Sequence, residues 1–244
     1  MTQRTFRAAL VFLVLLAGPA AASSIGKSSP HSAPKPAPTL QQILDGLVVS
    51  GPAIDANASQ NIELWQNTSS PLTARVAANF TGKEKVSFGI YDPDQATKPA
   101  YLLRDALRDV ATVTFSDDDT IVIRSGLQKK ASGFDGPFGF VLKDTPAKHQ
   151  NPAFIFTQAD LNGGVRVKVF QGNDSTMLKL PGQRPGLFLD SQFLIAFETG
   201  STDKGFNDYV VLVSGIVPGV PEPATLGLIA ISLAVLVGRR GRSA

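Results

Sequence analysis

Apolar and polar residues alternate with a period of two in several segments of the chain between residues 60 and 216. Residues 165–169, Val-Arg-Val-Lys-Val, are one example. This period puts every second side chain on the same face of an extended chain, so it predicts strands with one face in water. The predicted strands cover residues 61–66, 72–80, 84–91, 110–115, 120–124, 138–143, 153–157, 164–170, 193–198 and 208–214.

Two other segments, 39–49 and 100–110, have apolar residues every three or four positions, which predicts two short helices. Thr39 stands just before the first segment, where an N-cap residue is expected. The apolar faces would consist of Leu40, Ile43, Leu44 and Leu47 in the first helix, and of Leu103, Ala106, Leu107 and Val110 in the second.

Turn residues separate the predicted strands. Clusters of Gly, Pro, Asn and Asp occur at 116–119, 132–137, 161–164, 171–174 and 180–186. Short strands with frequent turns predict a mainly β fold, an antiparallel β-sandwich of jelly-roll type, formed by residues 39–216 with one or two short helices. The alternating phenylalanines of 138–140 and 154–156 are expected in its core.

Composition excludes several kinds of chemistry. The chain has no cysteine, and therefore no disulfide, thiolate metal site or cysteine nucleophile. The terminal stretches 1–22 and 221–244 hold five of its 23 basic residues and one of its 20 acidic residues, so the chain between them is close to neutral. A near-neutral body gives no electrostatic reason to expect a nucleic-acid partner.

Residues 1–22 have the pattern of a secretory signal peptide. Two arginines precede an apolar stretch at 8–18, and small residues follow at Ala20 and Ala22, which predicts cleavage after Ala22. The alternative is an uncleaved anchor helix, for which the apolar stretch is short. Residues 23–38 are rich in Pro and Ser and are predicted to be a linker.

The C-terminal residues 217–244 have three parts in a fixed order. They are Pro221, Glu222 and Pro223, then an apolar stretch at 224–238, then Arg239 and Arg240. Fifteen apolar and small residues are marginal for spanning a bilayer, and the arginines would hold their end on the cytoplasmic side. The alternatives are a glycolipid-anchor signal, which usually ends apolar, and an ordinary anchor helix.

This tail resembles the PEP-CTERM sorting tail of Gram-negative bacteria. The resemblance implies an inner-membrane protease, exosortase, that cuts near Pro-Glu-Pro, and hence a transient membrane anchor. It also implies a destination at the outer surface or in the extracellular matrix, with exopolysaccharide as a possible partner. The expected sorting residues are Pro221, Glu222, Pro223, Arg239 and Arg240.

The body resembles a domain of unknown function that is often found just upstream of such tails. The resemblance rests on the sequences "LQQILDG", "FGIYD", "FGFVLK" and "FET…DKGFNDYVV", in this order. Its last motif is usually Phe-Glu-Asp-Leu, a Gly/Asp-rich turn, and Asp-Tyr-Asn-Asp. This chain departs from that pattern at Thr199 and Gly205, where two carboxylates are missing.

The last motif contains candidate calcium ligands, namely Glu198, Asp203, Asn207 and Asp208. Calcium takes six to eight oxygen ligands, which carboxylates and amides can supply. The alternative is a purely structural turn, because Asn and Asp also bond to nearby backbone groups. A second acidic cluster at 117–119 is expected to be solvated. No other cofactor is predicted.

Catalytic groups are scarce. His149 is the one histidine in the predicted domain, the Gly-x-Ser-x-Gly turn is absent, and no pair of carboxylates stands out. We therefore predict a non-enzymatic, exported protein with a structural or adhesive role. The alternatives are a carbohydrate- or calcium-dependent binding module and a secreted polysaccharide hydrolase. In a carbohydrate-binding module, Trp65 and Tyr91 would be the sugar-stacking residues. The alternative is a position in the core, which is more common for such aromatic residues.

Overall fold

The predicted antiparallel β architecture is present in the computed structural model, which describes residues 37–219 except 69, 82–84, 105–109, 117–119, 126, 133, 135, 146–150 and 200–204. Within these residues there is one α-helix, α1, Leu40–Leu47. The strands are β1 Val48–Ser50, β2 Trp65–Asn67, β3 Leu72–Asn79, β4 Lys85–Tyr91, β5 Ala100–Arg104, β6 Val110–Phe115, β7 Thr120–Ser125, β8 Leu127–Ser132, β9 Gly139–Thr145, β10 Ala153–Phe156, β11 Val167–Gln171, β12 Met177–Leu178, β13 Gly186–Leu187, β14 Gln192–Phe197, β15 Tyr209–Ser214 and β16 Ile216–Pro218.

Helix α1 begins where the sequence predicts it. Thr39 accepts a hydrogen bond from the Gln42 backbone N–H through Oγ1, and Gln42 Oε1 accepts one from the Thr39 N–H at 2.9 Å. This reciprocal capping box satisfies two backbone donors that the first turn would otherwise leave unpaired. The predicted N-cap and helix are therefore confirmed.

Two antiparallel sheets form the sandwich. The larger has seven strands in the order β11-β14-β15-β3-β6-β7-β8, and the smaller has four in the order β10-β9-β4-β5. Side chains from both sheets meet in one large core, including Phe88, Phe140 and Phe197. The predicted antiparallel β-sandwich is confirmed, and Phe138 and Phe140 lie in its core as expected.

The central strands of the larger sheet are buried on both faces. In β14, Phe193, Ile195 and Phe197 belong to the core between the sheets. Leu194 and Ala196, on the other face, belong to a second core that contains the apolar side of α1. The three-stranded sheet β1-β12-β13 contributes Leu178 to this second core. The fold therefore has three layers, and the seven-stranded sheet is the middle one.

The predicted helix at 100–110 is wrong. Residues Ala100–Arg104 form strand β5, Val110 begins β6, and residues 105–109 lie outside the described part. A β-bulge opposite Phe88 and Gly89 puts an extra residue into β5, so Leu102 and Leu103 both contribute to the core. The helical spacing was misleading because Leu103 and Val110 belong to two different strands, β5 and β6.

Several strand limits also differ from the prediction. Strand β2 covers only the end of the predicted 61–66 segment, and β11 begins at Val167 rather than 164. The strands that alternation did not predict include β1, β12, β13 and β16, which have two or three residues each. Such short segments contain too few positions to reveal a period. Strand β16 also continues two residues past the predicted domain end at 216.

Gly172 should be required for the fold. A methyl group at this position would overlap the backbone carbonyl oxygens of Phe188 and Leu189, which cannot rotate away. We expect Gly172→Ala to lower the free energy of unfolding by about 3 kcal/mol, a typical cost of overpacking. Denaturant unfolding of the purified protein measures this change.

Gly46→Ala is the control for that variant, because a Cβ at Gly46 in helix α1 meets no atom within 4 Å. The free energy of unfolding of this variant should rise by about 0.5–1 kcal/mol, because alanine is more favourable than glycine inside a helix. Equal stability of the two variants would contradict the packing argument.

Candidate functional site

The acidic motif lies where strands β14 and β15 join. Glu198 directly follows β14, and Asn207 and Asp208 directly precede β15. Because these strands pair antiparallel with Phe197 opposite Tyr209, the two ends of the motif meet. Asp203 lies outside the described residues.

Both described carboxylates accept hydrogen bonds from the turn itself. Glu198 Oε2 accepts from the Phe206 backbone N–H at 2.7 Å, and the Glu198 side chain is only 3% exposed. Asp208 Oδ2 accepts from the backbone N–H and the hydroxyl of Thr199, each at 2.7 Å. The two acidic residues thus bridge the turn from opposite sides, which is the structural role weighed for them above.

The residue that donates to Glu198, Phe206, has a strained backbone. Phe206 has a φ of 51°, in the left-handed region that non-glycine residues rarely adopt. The Lys168 ammonium lies 5.1 Å from the centre of the Phe206 ring, and it donates to the Ala56 carbonyl at 2.8 Å. The bond from Phe206 N–H to Glu198 and this cation–π contact offset the strain.

The same turn is bonded to the start of the domain. The Asn207 side-chain amide donates to the Pro38 carbonyl at 2.6 Å, one residue before the N-cap of α1. A Cβ at Gly205 would lie 2.7 Å from Asn207 Oδ1. An aspartate at 205, as in the related pattern, would therefore require Asn207 to move.

The calcium hypothesis stays a prediction. Among the described residues, no group of three or more His, Cys, Asp or Glu side chains could hold a metal ion. Two of the four proposed ligands already accept hydrogen bonds from the turn, and Asp203 is not described. The cluster at 117–119 and His149 also lie outside the described part of the chain.

Trp65 and Tyr91 are not sugar-stacking residues, because both are fully buried. The Trp65 ring packs edge-on against Phe140 with centroids 4.8 Å apart, and its buried indole N–H has no hydrogen-bond partner among the described residues. Tyr91 packs edge-on against Phe156 and donates to Gln158 Oε1 at 2.9 Å. The ordinary interpretation of both as packed interior residues is confirmed.

The prediction that Phe154 and Phe156 lie in the core is wrong. Ile155 between them is buried, so the two phenylalanines lie on the outer face of the small sheet, and Phe154 is 39% exposed. Alternation showed that the two rings share a face. It could not show which face, because that depends on how β10 pairs with β9.

The outer face of the small sheet combines aromatic and basic side chains. Lys143 on β9 pairs with Phe154 on β10, and its ammonium lies 5.8 Å from the Phe154 ring centre and 5.7 Å from that of Tyr101. Strand alternation places Lys85 and Arg104, both exposed, on the same side. We call Lys85, Tyr101, Arg104, Lys143 and Phe154 the aromatic–basic face.

No carboxylate shares this face among the residues of strands β4, β5, β9 and β10. Asp144, the one acidic residue in these strands, alternates to the inner side opposite Val86 and is buried. The face is therefore locally positive on a body that is close to neutral overall.

A shallow depression lies next to the larger sheet, lined by Glu63, Thr157, Val165 and Arg166 among others. Its enclosed space is about 20 Å³, enough for about one water molecule. Glu63 accepts there from the Ala159 N–H, and Arg166 donates to the Glu198 and Thr199 carbonyls. The polar groups of this depression hydrogen-bond to the protein backbone.

By its fold, this protein is an antiparallel β-sandwich protein. The residues before 37 and after 219 lie outside the described part of the chain. Residues 219–243 match the PEP-CTERM protein-sorting motif. The chain is therefore an exported protein that exosortase, a membrane protein, processes and that is sorted to the cell surface. No curated protein and no solved structure matches it.

The predicted sorting residues lie within the matched segment. They are Pro221, Glu222, Pro223, Arg239 and Arg240, and all lie outside the described residues, as do the predicted signal-cleavage residues Ala20 and Ala22. Within the described ranges, no helix is long and apolar enough to cross a membrane. The resemblance of residues 40–216 to a domain of unknown function stays a prediction.

The Glu198 bridge should stabilise the domain. Glu198→Ala leaves the buried Phe206 N–H without this acceptor, and we expect a loss of about 1–3 kcal/mol in the free energy of unfolding. Glu198→Gln keeps an oxygen that can accept the same bond and should cost less. Asp94→Ala, at an exposed site, is the control and should change little. Equal effects of Glu198→Ala and Asp94→Ala in denaturant unfolding would refute this role.

Tyr91 should make the protein less stable at high pH. Burial raises the pKa of the Tyr91 hydroxyl from 10.0 to about 12, because the folded protein disfavours the phenolate. The unfolded state therefore loses this proton first, and stability falls as the pH rises from about 10 to about 12. Tyr91→Phe should show a smaller fall in Tm over this range, and the same fall as in the wild type would contradict the assignment.

Proposed function

We propose that this protein is a non-enzymatic adhesive component of the cell surface or extracellular matrix, and that it binds an anionic polysaccharide through the aromatic–basic face. The observation that carries the proposal is the position of the Lys143 ammonium within 6 Å of two partly exposed aromatic rings, Tyr101 and Phe154. The sorting motif supports it, since it brings the chain to the surface where such polymers occur.

The aromatic rings supply one half of the recognition. A partly exposed ring on a rigid sheet offers a flat apolar surface to the C–H face of a sugar ring. Phe154 and Phe156 are stacked with centroids 6.3 Å apart and an interplanar angle of 16°. Their neighbours hold these rings in place, so little side-chain freedom is lost when a sugar binds.

The cations supply the other half. Lys85, Arg104 and Lys143 lie on the same face as the rings, and no carboxylate of the four strands competes for them there. Arginine and lysine donors bind carboxylate and sulfate groups through charge-assisted hydrogen bonds. A polymer with acidic groups between flat sugar faces matches this arrangement better than a neutral glycan does.

The non-enzymatic role rests on how the acidic groups are used. Glu198 and Asp208 accept hydrogen bonds from neighbouring backbone N–H groups. They lie at the end of β14, whereas the aromatic–basic face belongs to the other sheet. We propose that the acidic turn acts without metal and that polymer binding leads to no cleavage.

Binding of the purified protein to polygalacturonate, with neutral dextran as the comparison, tests the proposal. Phe154→Ala and Lys143→Ala should each weaken polygalacturonate binding about tenfold, a loss of roughly 1.4 kcal/mol. Affinity should also fall as salt rises, because the contacts are charged and exposed. Isothermal titration calorimetry measures both effects.

Two matched controls exist. Phe80 is 44% exposed at the end of β3, and Lys179 is exposed beside β12, so Phe80→Ala and Lys179→Ala remove similar groups elsewhere. Both should bind as the wild type does. Equal binding of dextran, or wild-type affinity of both face variants, would refute the proposal. Loss of binding with a calcium chelator would favour the calcium-dependent module, and release of new reducing ends would favour the hydrolase.

A further inference from the structure

The last described strand leads directly into the sorting motif. Strand β16 pairs antiparallel with β2, with Ile216 opposite Asn67 and Pro218 opposite Trp65. The ladder continues one residue further, because the Gly219 N–H donates to the Leu64 carbonyl at 2.8 Å. Gly219 is also the first residue of the matched motif. The fold and the motif therefore overlap, with no linker between them.

This final ladder is well anchored. Ile216 is fully buried in the main core, and Trp65, opposite Pro218, is buried there too. Gly215, which precedes β16, has a φ of 78°, and its carbonyl accepts from the Thr68 hydroxyl at 3.0 Å. On the opposite edge of β2, the Trp65 and Phe138 backbones exchange two hydrogen bonds of 2.8 Å. Separation of β16 from β2 therefore breaks the backbone hydrogen bonds between these two strands and exposes the buried Ile216 side chain.

The predicted cut lies very close to this ladder. Pro221 is two residues after Gly219. An extended chain spans at most about 3.6 Å per residue, so Pro-Glu-Pro begins within about 7 Å of the last paired residue. A membrane protease that cuts near Pro-Glu-Pro has almost no free chain on its N-terminal side.

Proteases generally bind their substrates as extended chains, through backbone hydrogen bonds on both sides of the cut. On the N-terminal side, the backbone groups of residues 216–219 already pair with β2. We propose that β16 must separate from β2 before exosortase can process the chain, so that the opening of this ladder limits removal of the tail. The proposal rests on the sorting motif and is independent of polysaccharide binding.

An engineered disulfide gives the sharpest test. Gln66 and Val217 are opposite each other, both exposed, and paired residues in antiparallel strands lie at Cα distances that a disulfide can bridge. The chain has no native cysteine, so the double variant Gln66→Cys with Val217→Cys can form only this bridge within the chain. The full-length variant would be produced in a host with its exosortase, and loss of the tail followed by intact mass after a pulse of synthesis.

We expect the oxidised double variant to keep its tail and the reduced form to lose it at the rate of the wild type. The two single-cysteine variants are the controls and should be processed normally. Removal of the tail from the oxidised variant at the wild-type rate would overturn the proposal.

A spacer variant tests the same idea without depending on a disulfide. Six Gly/Ser residues inserted between Gly219 and Val220 leave the ladder and residues 220–243 of the motif unchanged but supply free chain before the cut. Processing should become faster, on the order of tenfold if access to the open form limits the wild type. An unchanged rate with the spacer would also overturn the proposal.

Discussion

The burial of β14 and β15 on both faces is the constraint on which the rest of this structure depends. Val211 contributes to the core between the two sheets, whereas Val210 and Leu194 contribute to the core beneath α1. Glu198 and Phe206, just outside the paired ends of these strands, are still buried, so the backbone groups there cannot rely on water and need protein partners. The connection between the two strands must therefore satisfy those groups locally, and Glu198 and Asp208 do so.

This constraint changes how the acidic motif is understood. In the sequence, acidic and amide side chains around a glycine-containing turn have the composition of a calcium site. In the structure, the buried Glu198 carboxylate holds Phe206 in a left-handed conformation, and Asn207 holds the residue just before the helix cap. The acidic motif joins the start of the domain to strands β14 and β15. This structural role is a physical reason for its acidic and amide residues.

How far the sequence could predict each strand depended on the length of the strand and on its pattern of apolar residues. Strands β3 and β15 were predicted to within one residue of their ends, because each is a run of at least six strand-forming residues bounded by polar residues. The helical spacing of Leu103 and Val110 hid β5, the six-residue β8 has the non-alternating sequence Leu-Gln-Lys-Lys-Ala-Ser, and the two- and three-residue strands had no readable period. The sorting tail was predictable because its signal is the linear order of three parts, which needs no fold.

The aromatic–basic face could not be predicted from the alternation of apolar and polar residues. The sequence "AFIF" indicated that Phe154 and Phe156 share a face, and the core was the natural expectation for two phenylalanines. Their exposure follows from strand pairing, which aligns Ile155 with Leu142 in the core and Phe154 with Lys143 outside. Tyr101 is brought near the same lysine although it belongs to a strand more than forty residues away. A face assembled from distant strands has no linear signal, and it becomes visible only when the register of the sheet is known.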